Sequence, residues 1–122
     1  MFYGIGNDIV EIERIEKAIM KPGFKTRVYT EKELELIVNK GDKAETYAGR
    51  FSAKEAIAKA FGTGVRDFNL VDIEILQDEL GKPVVYLKNS LKERYENFKI
   101  ELSISHCKNY ATAVAIIFKG EK

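Results

Sequence analysis

The sequence predicts an α+β domain, with helices packed on a mainly antiparallel sheet. Three observations predict it: apolar residues alternate near both ends of the chain, the first half between them is largely helical, and the later strands are joined by short turns. A length of 122 residues, 45% of them hydrophobic, suits one core, so residues 1 to 122 are read as a single domain.

Residues 2 to 10 alternate, with Phe2, Gly4, Gly6, Asp8 and Val10 on one side and Tyr3, Ile5, Asn7 and Ile9 on the other, which predicts a strand. From Glu11 to Met20 the period becomes helical, with Ile12, Ile15 and Ile19 as the apolar stripe and Pro22-Gly23 as the stop. Thr30 with Glu33, and Asp42 with Glu45, have the spacing of a capping box, so helices are predicted over 31 to 39 and 43 to 61. Gly62 and Gly64 supply the permissive backbone that ends the second. Residues 71 to 75 and 83 to 87 form a hairpin around the turn Asp78 to Gly81. A short helix over 90 to 97 precedes an alternating strand, Ile100 to Ser105. The connection His106-Cys-Lys-Asn109 then leads into an apolar strand, Ala111 to Phe118.

Twenty basic residues balance nineteen acidic ones, so bulk charge selects neither nucleic acid nor an anionic membrane, and neither is expected as a partner. Cys107 is the single cysteine, which excludes an internal disulfide and any multi-cysteine zinc site and fits a reducing, cytoplasmic setting. No apolar stretch approaches the ~20 residues of a spanning helix, and no targeting segment is expected.

The chemistry concentrates in Arg50 to Gly62, a helical stretch without a proper polar face. Glu55 lies there between Phe51 and Ala48, and Lys59 follows one turn later on the same side. Two readings stand: an exposed i,i+4 ion pair of small energetic value, or a carboxylate that meets a divalent cation beside a lysine that meets a phosphate. Asp8 is the second candidate, because it follows two glycines and interrupts the apolar alternation of its strand; it is either a strand-end helix cap or the partner carboxylate for that cation. His106, the only histidine, lies past an alternating strand with Ser103, Ser105 and Lys108, an arrangement suited to phosphate binding. Cys107 beside it has no activating partner and is read as a bystander. Arg14, Lys17 and Lys21 form a narrow basic ridge opposite the isoleucine stripe. The ridge is either a solvated face or a dock for an acidic helix, while Glu13 and Glu16 weaken any nucleic-acid reading.

These residues resemble a known family, the holo-acyl-carrier-protein synthases, the short bacterial-type 4'-phosphopantetheinyl transferases. The resemblance covers essentially the whole chain. It rests on Gly4-Ile-Gly-Asn-Asp-Ile-Val-Glu-Ile-Glu-Arg-Ile15, on Arg50-Phe-Ser-Ala-Lys-Glu-Ala-Ile-Ala-Lys-Ala-Phe-Gly-Thr-Gly64, on Gly81-Lys-Pro83 and on Ser103-Ile-Ser-His106. It implies transfer of the 4'-phosphopantetheine of coenzyme A to a serine of apo-acyl carrier protein, for fatty acid biosynthesis. By the same resemblance, Asp8 and Glu55 hold Mg²⁺ and Lys59 lies beside the pyrophosphate. Gly62, Gly64, Lys82, Pro83, Ser105 and His106 line the coenzyme site. Asp8, Glu55 and Lys59 are the implied catalytic group, with Glu55 or a water taking the serine proton. The carrier protein would meet Arg14, Lys17 and Lys21. The resemblance also implies a homotrimer with active sites between neighbours, Asp8 and the ridge coming from one subunit and the Glu55 helix from the other. The competing readings are a coenzyme A or nucleotide-phosphate binding module without turnover and a purely structural trimer subunit.

Overall fold

A computed structural model describes residues 1–62 and 68–120. The element order is β1 (Phe2–Glu11), α1 (Ile12–Ala18), α2 (Phe24–Val28), α3 (Glu31–Asn39), α4 (Ala44–Ala60), a 3-10 turn (Leu70–Asp72), β2 (Ile73–Gln77), β3 (Pro83–Leu87), α5 (Asn89–Arg94), β4 (Phe98–His106) and β5 (Tyr110–Lys119). The strands form an antiparallel sheet of order β1-β5-β4 and an antiparallel hairpin β2-β3, the α+β arrangement that the periodicity predicts.

Helix α4 lies against one face of the larger sheet, and small residues set how closely. A Cβ added at Gly4 would stand 2.1 Å from the Ala60 carbonyl oxygen, and one at Gly6 would stand 2.0 Å from that of Ala56. Alanine at either position would therefore push helix and strand apart. Ala53, Ala56 and Ala60 meet Ala113 and Ala115 in the same buried cluster, so the layer stays thin where β1 carries Asp8. The other face of the sheet has no covering layer among the described residues: Ile5 is 60% and Ile9 63% exposed.

The departures from the predicted elements are local. Glu11 ends β1, and α1 stops at Ala18, so Lys21 follows in a turn rather than on the helix. Helix α2 was not predicted after Pro22-Gly23; five residues carry little intrinsic helical stability, and burial of Val28 and Tyr29 holds them. The capping box at Thr30 and Glu33 is present in both its hydrogen bonds. The second box does not form, because Gly41 and Asp42 both take positive φ and α4 begins after Lys43. Asp42 instead accepts a hydrogen bond from the Tyr47 hydroxyl. At the hairpin turn Gly81 has φ 88, and Asp78 Oδ1 accepts from the amides of Leu80 and Lys82. Helix α5 closes at Arg94, three residues short of the predicted end, and β4 starts at Phe98, whose ring packs edge-on against Tyr95 and Tyr3.

Candidate functional site

Strand β1 and helix α4 bring together the residues that the sequence singled out. Ser52 Oγ lies 3.1 Å from Asp8 Oδ2 and 3.0 Å from the Asp8 carbonyl oxygen, while Thr112 Oγ1 donates to that carbonyl at 2.7 Å. Lys59 Nζ donates to Asp8 Oδ1 at 3.0 Å and to the Asn7 carbonyl at 3.1 Å. Lys59 thus pairs with Asp8 across the two elements, where its spacing from Glu55 had suggested an i,i+4 pair. Glu55 is half-buried. Its carboxyl is pushed above the usual range, first by burial and then by the Asp8 charge, with Lys59 opposing. The two acids come together within one chain, and this corrects the division that put Asp8 on one subunit and the Glu55 helix on another.

Two oxygen-rich acids crowded at one spot, with an ammonium between strand and helix, are a donor set for a hard divalent cation. Among the described residues no group of three His, Cys, Asp or Glu side chains gathers. A cation held here would therefore have two protein carboxylates and take its remaining oxygens from water and phosphate, the usual arrangement for magnesium.

A second cluster sits toward the start of α4. A cleft of about 230 Å³ is lined by Lys40, Thr46, Arg50, Pro83 and His106, with Glu45, Gly49, Gln77, Gly81 and Ile104 completing its wall. Arg50 is buried, and its Nε has no hydrogen-bond partner among the described residues. Burial holds the Arg50 guanidinium below its ordinary range, with the Glu33 charge pulling it back up. Lys40 is also held below its ordinary range, by burial first and by the Arg50 charge second. Crowded cations with an unpaired N–H group favour an anion. Arg50 and Lys40 were missed as site residues in the sequence; the available signal was an arginine in a helix with no polar face.

Of the remaining predicted residues, Gly62 has φ 86 and ends α4 in the left-handed conformation. Gly64 lies outside the described residues. Lys82 is exposed, pairs with Glu101 at 3.2 Å and, with Pro83, lines a separate open cavity of about 820 Å³ beside β3, α5 and β4. Ser105 alternates to the sheet face opposite His106 and is exposed there. Arg14, Lys17 and Lys21 are all exposed. The α4 carboxylate and the His106 cleft occupy neighbouring parts of the helix: Gly49 and Glu55 are six residues apart, about 9 Å along the axis.

The sequence matches the 4'-phosphopantetheinyl transferase superfamily over residues 4–115. The chain belongs to this family. Within the phosphopantetheinyl transferases it is 62% identical over 121 residues to the holo-[acyl-carrier-protein] synthase of Fusobacterium nucleatum, covering 96% of this chain and 99% of the relative. Its fold is similar to that of the Bacillus anthracis holo-(acyl-carrier-protein) synthase solved in complex with CoA (3',5'-ADP), with TM-score 0.81, 40% identity and 99% of each chain covered. It is likewise similar to the Helicobacter pylori enzyme in complex with coenzyme A, with TM-score 0.82 and 35% identity over 93% of this chain and 99% of that one. No helix of this transferase family member, among the described residues, is long and apolar enough to cross a membrane.

Proposed function

We propose that the chain transfers 4'-phosphopantetheine from coenzyme A to a serine of apo-acyl carrier protein, in the cytoplasm and in support of fatty acid synthesis, with Asp8, Glu55 and Lys59 as the working group of a single domain. The observation that carries this reading is the convergence of those three side chains from β1 and α4. Asp8 and Glu55 would hold Mg²⁺. When bound, that ion would neutralise the diphosphate and polarise its phosphorus–oxygen bonds.

The chain's own groups do the rest. Lys59 is half exposed, so its ammonium can leave Asp8 for a phosphate oxygen and stabilise the charge that grows as the bond breaks. In the metal-free chain burial and the Asp8 charge push the Glu55 carboxyl above its usual range, and Glu55, directly or through a water, is the acceptor assigned to the serine proton. It takes the proton of the carrier serine as the serine oxygen bonds to the phosphorus that bears pantetheine. The bond from that phosphorus to the bridging oxygen breaks, and adenosine 3',5'-bisphosphate leaves. The cleft with Arg50, Lys40 and His106 suits the nucleotide phosphate end of coenzyme A, next to Gly81 and Pro83 on the hairpin.

The proposed site is shared between copies, as the family resemblance implies, one supplying Asp8, Glu55 and Lys59 and its neighbour supplying His106 and Pro83. The uncovered sheet face with Ile5, Ile9 and Phe118 supports burial against other copies in a homotrimer. Sedimentation equilibrium should give three times the monomer mass. A monomer at micromolar concentration would sink the assembly.

The acidic carrier protein is assigned to the exposed ridge Arg14, Lys17 and Lys21. Charge reversal there should raise the apparent KM for the carrier several-fold with little change in kcat, and added salt should do the same to the parent. An unchanged KM would refute the assignment. The whole reading is tested by incubating the protein with coenzyme A, Mg²⁺ and apo carrier, then weighing the carrier by mass spectrometry. A phosphopantetheine-sized gain supports transfer, and coenzyme binding without that gain supports the non-catalytic module.

A further inference from the structure

Ser52 has no part in the chemistry above, yet its side chain is fully buried beside the group that does the work. A serine inside a helix commonly returns its proton to a carbonyl one turn back. Ser52 instead reaches across to β1, with Oγ 3.0 Å from the Asp8 carbonyl oxygen and 3.1 Å from Asp8 Oδ2. It has one proton for two acceptors. The carbonyl is already served at 2.7 Å by Thr112 Oγ1, so the acceptor that depends on Ser52 is the carboxylate.

From this geometry we infer that Ser52 is a positioning residue for Asp8: it holds Oδ2 in place, so that Oδ1 is the oxygen left to a divalent cation when Lys59 turns to phosphate. This rests on the reading above that Asp8 takes the metal. Without the hydroxyl, the carboxylate has Lys59 as its side-chain anchor, at 3.0 Å, and that anchor has to depart for catalysis. It is then free to rotate away from Glu55, whose negative charge repels it. Partners that orient a metal ligand typically contribute about 10- to 100-fold in metal affinity or activity.

The test is the Mn²⁺ dissociation constant, read from the electron paramagnetic resonance signal of free Mn²⁺ in the presence of adenosine 3',5'-bisphosphate, without any transfer reaction. Ser52→Ala suits the helix and should raise the constant about tenfold. Ser52→Cys keeps a weak donor in the same place and should fall between Ser52→Ala and the parent. Thr112→Val removes the other donor to the Asp8 carbonyl and draws part of the Ser52 proton to it, so it should raise the constant by clearly less than Ser52→Ala does. In the transfer assay, Ser52→Ala should need correspondingly more Mg²⁺ for half-maximal rate, with most of kcat recovered at saturating metal. Equal Mn²⁺ affinity in Ser52→Ala and parent overturns the inference and leaves the proposed function standing. Equal losses in Ser52→Ala and Thr112→Val also overturn it, because backbone anchoring would then explain both. A parent that binds no Mn²⁺ under these conditions defeats the metal reading of Asp8 itself, and the role of Ser52 with it.

Discussion

Glu55→Gln and Asp8→Asn are each expected to lower the transfer rate at least about a hundredfold at saturating substrates, since losing a ligand costs no less than losing the group that orients one. The stability of the two variants should separate them from merely misfolded protein. Glu55 is half-buried beside Asp8, and both its burial and that neighbour work against its negative charge. A neutral amide of the same shape removes the conflict, so the Glu55→Gln unfolding midpoint should match or exceed that of the parent. Active sites commonly hold groups that function needs and folding does not favour. Asp8→Asn weakens a partly exposed ion pair with Lys59, worth at most about 1 kcal/mol, and should lower the midpoint slightly. Mass spectrometry of the carrier and thermal unfolding of the variants check both halves. Transfer at the parent rate in either variant, with Mg²⁺ present, would show that the acids are not the metal site.

How far these residues could be read in advance depended on the range of the interactions that place them. The alternation of β1 already put Asp8 on the same side as Gly4 and Gly6, and the structure presses that side against α4. The missing polar face of residues 50 to 62 already said that Glu55 was not on an ordinary surface helix. What spacing could not supply was the partner. An i,i+4 pattern offers Lys59 to Glu55, but the acid that its ammonium meets among the described residues is Asp8, fifty-one positions away. The Thr30 box was legible because its two hydrogen bonds are local, whereas the Asp42 box failed through backbone conformation at Gly41 and Asp42 that composition does not announce. Helix α2 escaped notice for a related reason. Its five residues are helical because tertiary contacts hold them, including a hydrogen bond from Lys54 to the carbonyl of Val28.

Breaking that lysine out of the core should have the largest effect on stability. Lys54 and Glu33 are both fully buried and lie 2.7 Å apart. Lys54 also donates to the carbonyls of Val28 and Leu70, and Glu33 accepts from the amides of Thr30 and Ile75. One pair thus ties α2, α3, the 3-10 turn and β2 to the helix that carries Glu55. Burial pushes Glu33 up and Lys54 down, and their mutual attraction and hydrogen bonds oppose this in both. Lys54→Met would leave the Glu33 charge buried without its counter-charge, a change that typically costs about 3–5 kcal/mol. For a domain of this size that corresponds to a fall in unfolding midpoint of roughly 10–20 °C. The pH dependence has a definite sign. In Lys54→Met only the amides of Thr30 and Ile75 still oppose the burial that raises the Glu33 pKa above its unfolded value, so protonation stabilises the folded form. The loss should be greatest at neutral and alkaline pH and should shrink as pH falls through the folded pKa of Glu33. Lys54→Met with Glu33→Leu replaces the pair by apolar groups and should recover much of the stability, making the double change less costly than Lys54→Met alone. Urea unfolding of the three proteins across pH measures this. If Lys54→Met unfolds within 1 kcal/mol of the parent at neutral pH, the pair is not what fastens these elements to α4.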